Sequence, residues 1–207
     1  MTAPLLLVHG GLWEAMNADR FWVRPGVVAG LAERGVEVLA PDRPQRAPSW
    51  TVEARALADA VSGVGRVRVL AGSNGCSAAV RFALAEPDRV ERLILAWPAT
   101  AGDPEVDARQ RREFAALGAT DAIANDLLAG ETLRGSTDAE LATLTMRTAI
   151  IPSDVDGMIH RHRTVDALCR SIPGAVRLPE FPESPKPTFP ARCAAFLDAV
   201  TNFLSNG

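Results

Sequence analysis

The sequence has little of what would direct a protein to disulfide bonds, metals, membranes or nucleic acids. Its three cysteines are widely spaced and odd in number, which indicates neither a disulfide framework nor a metal site. A net charge of -3 at pH 7 gives no electrostatic reason to expect nucleic acid or an anionic membrane as a partner. No secretory signal pattern is present, and no apolar run is long enough to span a bilayer, so we expect a cytoplasmic protein.

Length and patterning predict one domain that covers residues 1–207. A chain of 207 residues can bury one sizeable core but is too short for two full domains. Short apolar runs alternate with amphipathic helices, which predicts an α/β fold with a doubly wound parallel sheet. Strands of this sheet, about six in all, are expected at residues 5–8, 36–40, 67–71, 90–96, 146–152 and 175–178.

The stretch around Ser73 organises the rest of the chain. The apolar strand that ends at Ala71 is followed by Gly72, Ser73, Asn74 and Gly75, and then at once by apolar residues at helical spacing. Such a tight turn strains the backbone of the serine and needs small residues two positions to each side, which Ala71 and Gly75 provide. Ser73 should therefore project from the carboxyl end of a central strand, beside the N–H of Asn74 at a helix N-terminus.

This strand–turn–helix pattern resembles the nucleophile elbow of the α/β-hydrolase family. The family's usual G-x-S-x-G stands here as residues 71–75, with alanine in place of the first glycine. A Gly/Ser turn also joins strand to helix in other parallel sheets, but two further matches favour the family. The resemblance implies a hydrolase with Ser73 as the nucleophile and a small molecule as the substrate, without a metal or another cofactor.

The turn after the first strand resembles the oxyanion loop of the family. It reads His9, Gly10 and Gly11. The resemblance implies that the N–H of Gly11 or Leu12 forms the oxyanion hole together with the N–H of Asn74. Glycine helps here because the backbone must approach the substrate closely. His9 itself is expected to brace the loop.

Residues 101–145 interrupt the alternation of strands and helices with short helical pieces. The family places a cap over the active site at this point, so the resemblance implies a small helical cap that excludes water and shapes substrate choice. Two tryptophans are candidates for binding the substrate: Trp13 follows the first strand, and Trp97 follows the strand over residues 90–96. Packing in the core or at its rim is the alternative for such aromatic residues.

The turn after residues 146–152 resembles the place of the family's catalytic acid. The family's G-x-x-D spacing falls on Asp156, with Ser153 in place of the glycine, and Asp154 is the alternative acid. An acidic turn before a helix is also an ordinary N-cap. One of the two aspartates is therefore expected only to cap the helix predicted to begin near His160.

The general base is the part of the family pattern that this sequence lacks. A serine hydroxyl is inert without a base, which the family supplies as a histidine on the loop after the last strand. That loop, residues 181–189, contains no histidine, and Lys186, the only lysine of the chain, falls at its position. Three alternatives remain: Lys186 with a pKa lowered by burial, His160 or His162 reaching over from the acid loop, or no base at all.

Two hypotheses of function follow from this gap. The first is a serine hydrolase of a small ester, thioester or lactone, in which Ser73 attacks and Asp156 orients or tunes the base. The second is a catalytically degenerate member of the fold. Such a protein would bind a small apolar ligand under the cap, or would use the pocket as a non-hydrolytic cyclase or lyase.

Overall fold

The centre of the fold is one parallel sheet, seen in a computed structural model that describes residues 2–205. Its six strands lie in the order β2-β1-β3-β4-β5-β6, and every neighbouring pair is parallel. The prediction of a doubly wound parallel sheet is therefore confirmed. The strands are β1 (Leu5–Val8), β2 (Val38–Leu39), β3 (Val67–Gly72), β4 (Val90–Ala96), β5 (Arg147–Ile151) and β6 (Val176–Arg177).

Helices connect these strands and begin at short polar residues. The side chains of Ser49, Asp103 and Thr120 accept N–H bonds in the first turns of three of them. Pro25 and Gly26 separate a π-helical turn, Asp19–Val23, from α1. The α-helices are α1 (Val27–Glu33), α2 (Trp50–Ala60), α3 (Gly75–Ala85), α4 (Pro104–Ala116), α5 (Asp121–Leu128), α6 (Asp138–Leu141), α7 (His162–Ser171) and α8 (Cys193–Ser205).

The sheet is buried on both faces. Alternate side chains of β1 point to opposite sides, so that Leu6 and Val8 belong to one apolar cluster and Leu5 and Leu7 to the other. The first cluster includes residues of α2 and α3, and the second includes residues of α1 and α8. Burial on both faces explains why the strands read as continuous apolar runs.

Ser73 lies in the turn between β3 and α3 with a strained backbone. Its φ of +54° falls in the left-handed region, which residues other than glycine rarely adopt. A Cβ atom at Gly75 would lie 2.5 Å from the carbonyl oxygen of His9 and 2.7 Å from that of Val8. The close approach of β1 and α3 at Gly75 therefore fixes the turn, and with it the place of Ser73 at the carboxyl end of the sheet.

The segment between β4 and β5 carries α4, α5 and α6, within the stretch predicted to form a cap. Residues of α4 line the same cavity as Ser73, so this helix lies over the elbow. The side chain of Asp103 begins α4 by accepting N–H bonds from Glu105 and Val106. No helix among residues 2–205 combines the length and the apolar character that crossing a membrane requires.

Replacement of Gly75 tests the close approach at the elbow. We expect Gly75→Ala to lower the free energy of unfolding by about 1–3 kcal/mol, because the new methyl group meets two backbone carbonyls that cannot move aside. Urea unfolding followed by fluorescence measures the change. Gly63→Ala is the matched control, since no atom lies within 4 Å of a Cβ at that position. An equal effect of the two substitutions would contradict the account of the turn.

Candidate active site

The hydroxyl of Ser73 contacts a histidine. Its Oγ lies 2.8 Å from Nε2 of His160, which is a hydrogen-bond distance. Ser73 stands on the elbow, and His160 stands on the loop between β5 and α7. Both residues line one cavity. Of the alternatives considered for the base, His160 is the residue that the fold brings to Ser73.

The loop that carries His160 is held on both sides of the histidine by one residue. The N–H of Thr100 donates to the carbonyl of Ile159 at 2.7 Å, and the Thr100 hydroxyl accepts the N–H of Arg161 at 3.2 Å. Thr100 is buried and follows closely on β4. The helix predicted to begin near His160 instead begins at His162. His160 therefore lies in a loop, where it can reach Ser73.

Glu183 binds the other ring nitrogen of His160. Its Oε1 lies 2.8 Å from Nδ1 of His160, and the same oxygen accepts bonds from Nζ of Lys186 at 2.8 Å and from the hydroxyl of Ser153 at 3.2 Å. Burial by itself raises the pKa of Glu183, but the hydrogen bonds and charges of His160 and Lys186 outweigh it and lower this pKa to about 2. Glu183 is therefore an ionised carboxylate that fixes the orientation of the His160 ring.

Asp156, the predicted acid, lies away from this chain of contacts. It is exposed, and its Oδ1 accepts the N–H of His162 at 2.8 Å. Asp156 therefore binds the first N–H of α7, although the N-cap position itself is Arg161. Asp154 is exposed as well, and its N–H donates to the carbonyl of Phe181.

Lys186, an alternative for the base, contacts the acid rather than the serine. Its Nζ forms an ion pair with Glu183. Nζ of Lys186 thus faces the carboxylate of Glu183, whereas Nε2 of His160 is the nitrogen that contacts Ser73. At the position that the family pattern gives to the histidine, this chain thus has a lysine that pairs with Glu183.

The histidine and the carboxylate stand on exchanged loops relative to the family pattern. The histidine follows β5, where the family places its acid, and the carboxylate follows β6, where the family places its histidine. The two loops run side by side, since the N–H of Phe181 donates to the carbonyl of Pro152 and a bridge joins Ser153 to Phe181. Because the two loops are adjacent, a histidine and a carboxylate can make the same contact when each stands on the other's loop.

The residues predicted for the oxyanion hole lie beside Ser73. Gly11, Leu12 and Asn74 all line the cavity that Ser73 lines. Gly11 has a φ of +86°, and a Cβ atom there would meet Met16 at 2.5 Å, so glycine is required. The N–H of Leu12 donates to the side-chain carboxylate of Glu14. This amide therefore holds an anionic oxygen, the kind of atom that an oxyanion hole binds.

A buried ion pair braces the oxyanion loop. Arg43 pairs with Glu53 at 2.9 Å, and its Nη1 donates to the carbonyl oxygens of His9, Gly10 and Gly11. Nε2 of His9 accepts the N–H of Arg43 at 2.9 Å. Burial and the charge of Arg43 lower the pKa of His9 to about 4, so His9 is a neutral residue of the loop.

The cavity in front of Ser73 has a volume of about 600 Å³. Its wall combines apolar side chains with several charged and amide groups from α4 and the oxyanion loop. This size is in the range of small-molecule pockets. The lining residues are Gly11, Leu12, Glu14, Met16, Phe21, Ser73, Asn74, Arg109, Gln110, Glu113, Ala116, Leu117, Ile159, His160, Glu183 and Pro185.

The two tryptophans predicted to bind substrate do not line this cavity. Trp97 is fully buried, stacks on Phe196 with a centroid distance of 5.3 Å, and donates its indole N–H to the carbonyl of Phe181. Trp13 packs against Phe114 and donates its indole N–H to the carbonyl of Ala47. Both indoles thus serve packing, because their polar N–H groups find backbone partners inside the fold.

Solved structures resemble this fold over almost the whole chain. A thermophilic esterase from Thermogutta terrifontis has a TM-score of 0.70 at 18% identity, over 100% of this chain and 92% of its own. An esterase from Exiguobacterium antarcticum has a TM-score of 0.72 at 15% identity, over 99% and 92%. MGS-M2, an α/β hydrolase from a deep-sea metagenome library, has a TM-score of 0.69 at 14% identity, over 100% and 90%. The chain has the α/β-hydrolase fold.

At these identities the likeness shows the fold alone, and the description of the site rests on its own geometry. Neither a protein-family model nor a curated protein sequence matches the chain. The contacts among Ser73, His160 and Glu183 therefore carry the functional argument.

Sequence reasoning did not find Glu183. The sequence does contain a signal for Glu183. It is an acidic residue three positions before Lys186, in the loop that lacks the expected histidine, and the preceding loop contains His160. Reading both loops together would have suggested the exchange. Spacing within one motif could not suggest this exchange, because the contact between His160 and Glu183 joins residues on two separate loops.

The acid stability of the fold should depend on Glu183. Its pKa lies near 2 in the folded state against an ordinary value of 4.5, so unfolding takes up a proton as the pH falls between these values. We therefore expect wild-type stability to fall between about pH 6 and about pH 3, and to fall less in Glu183→Gln. Urea unfolding at both pH values measures this difference. Equal losses in the two proteins would contradict the low pKa.

Proposed function

We propose that this chain is a serine hydrolase of a small ester, thioester or lactone, with Ser73 as nucleophile, His160 as general base and Glu183 as the acid that orients the base. The observation that carries the proposal is the unbroken chain of contacts from Oγ of Ser73 through the two ring nitrogens of His160 to Oε1 of Glu183, each 2.8 Å long. These are the roles and the distances of a catalytic triad.

In the first half of the reaction, Oγ of Ser73 attacks the carbonyl carbon of the substrate while its proton moves to Nε2 of His160. The negative charge that develops on the carbonyl oxygen is held by the N–H of Asn74 and that of Leu12 or Gly11. Glu183 stabilises the imidazolium that forms. The intermediate then expels the alcohol or thiol, which takes the proton from His160 and leaves Ser73 acylated.

In the second half, water enters and gives a proton to Nε2 of His160 as its oxygen attacks the acyl carbon. The second intermediate collapses, the carboxylic acid leaves, and the proton returns to Oγ of Ser73. For Leu12 to serve in either half, its N–H must exchange the carboxylate of Glu14 for the substrate oxygen.

The cavity supports a small-molecule substrate. Its volume of about 600 Å³ leaves room for an acyl chain and a leaving group of modest size. Apolar residues such as Met16, Leu117 and Ile159 favour a hydrocarbon portion in the substrate. The fold neighbours described as esterases are consistent with this class. A protein that only binds an apolar ligand would have no use for the chain of contacts at Ser73.

Substitution of the three residues tests the proposal. We expect Ser73→Ala and His160→Ala to lower kcat for p-nitrophenyl butyrate by about a thousandfold or more, because each removes a group that the chemical step needs. Glu183→Gln should lower kcat by about tenfold to 10⁴-fold, since the ring loses its anionic partner. Labelling by a fluorophosphonate probe should require Ser73 and His160. Circular dichroism checks that each variant is folded.

Lys186→Met and Asp156→Asn are the matched controls. Lys186→Met should lower kcat by less than about tenfold, because a half-exposed ion pair is worth little. Asp156→Asn should change kcat by less than about threefold, since the helix cap keeps an acceptor oxygen. Loss of activity in Lys186→Met that equals the loss in His160→Ala would favour lysine as the base and overturn the assignment. A folded wild-type protein that neither reacts with the probe nor hydrolyses esters would overturn the function.

A further inference from the structure

A buried arginine holds the residue that follows the nucleophile. Arg134 has no exposed surface, and it lies on the segment between α5 and α6. Its Nη1 donates to Oδ1 of Asn74 at 3.0 Å, and its Nη2 donates to Oδ1 of Asp107 on α4 at 3.3 Å. One guanidinium group therefore links the cap to the elbow through the side chain of Asn74.

The partner of Asn74 decides which way its carboxamide faces. A guanidinium group carries only donors, so it binds the oxygen of a carboxamide and not the nitrogen. Because Oδ1 of Asn74 is taken by Arg134, the NH₂ group occupies the opposite branch of the carboxamide. Among residues 2–205 no hydrogen bond from Nδ2 of Asn74 to a protein acceptor is present. The donor remains available on a residue that lines the cavity next to Ser73.

We propose that the side-chain NH₂ of Asn74 donates a hydrogen bond to an oxygen atom of the substrate close to the scissile carbonyl, with Arg134 as the residue that positions it. The substrate class is thereby narrowed to esters, thioesters or lactones that carry an ether, hydroxyl or carbonyl oxygen near the bond that is cleaved. This inference rests on the proposed function, since it needs Ser73 to act on that bond. It adds a role for the Asn74 side chain to that of its backbone N–H.

Other groups in the wall are less suited to this task. The side-chain amide of Gln110 already donates to Glu113, and Arg109 is paired with Glu113 as well. Glu14 offers acceptors only. The Asn74 carboxamide combines an uncommitted donor with a fixed orientation, which limits the entropy lost when a substrate binds.

Matched substrate pairs isolate the hydrogen bond from the chemistry. On the acyl side, p-nitrophenyl methoxyacetate is compared with p-nitrophenyl butyrate, which has a methylene group in place of the ether oxygen. On the alcohol side, 2-methoxyethyl butyrate is compared with butyl butyrate, which has a methylene group in place of the ether oxygen. The ratio of kcat/KM within a pair is measured for each variant. Intrinsic reactivity cancels when the same ratio is compared between two enzymes.

We expect Asn74→Ala to lower the ratio of ether to methylene substrate by about fivefold to tenfold in at least one pair, the worth of one hydrogen bond. Asn74→Asp should lower it equally, because an oxygen replaces the NH₂ group while the bond to Arg134 and the backbone N–H remain. Arg134→Lys should lower the ratio in the same pair. Asn125→Ala, an exposed asparagine on α5, is the control that should leave the ratio unchanged.

The outcomes separate this inference from the function on which it rests. Ratios within about twofold of wild type for both pairs in folded Asn74→Ala, with activity that still requires Ser73, would overturn the inference alone. A wild-type protein without Ser73-dependent labelling by fluorophosphonate would overturn the proposed function and the inference with it. A lower ratio in both Asn74 variants, with KM or kcat changed only for the ether substrates, supports the inference.

Discussion

The candidate site depends on the way Thr100 holds the loop after β5. With its N–H and its hydroxyl it binds the backbone on each side of His160, and the imidazole is thereby presented to Ser73. Thr100 is itself fixed by burial close to the end of β4. The relative position of Ser73 and His160 is therefore set by the neighbouring strands β3 and β4. The residues of the candidate site lie on loops, and the sheet fixes the positions of these loops.

A second set of contacts holds residues that line the cavity in front of Ser73. Arg43 binds three carbonyl oxygens of the oxyanion loop, and Arg134 binds the side chain of Asn74. Both guanidinium groups are buried and have a carboxylate partner, Glu53 for the first and Asp107 for the second. Buried pairs of this type add little net stability but fix orientation. The two arginine–carboxylate pairs therefore hold the residues around the cavity in fixed orientations, which makes the site preorganised.

The sheet and the elbow could be predicted from the sequence because both depend on local pattern. Apolar runs mark the strands, and small residues around Ser73 mark a turn that only they allow. The partners of Ser73 could not be predicted in the same way. The sequence leaves His160 as one of several alternatives for the base, because it does not reveal that α7 begins two residues later, at His162. Trp97 is predicted to bind substrate because it lies near the carboxyl edge of the sheet. Its backbone is left-handed, and its ring is buried in the core.

The exchange of histidine and carboxylate between two loops has a consequence for how such a site is recognised in a sequence. The order along this chain is serine, histidine, carboxylate, whereas the familiar pattern ends on the histidine. A motif that demands a histidine after the last strand would miss the contacts that Ser73 makes in this chain. The contacts require that the two loops meet at one serine, and they do not fix which loop carries the histidine and which the carboxylate.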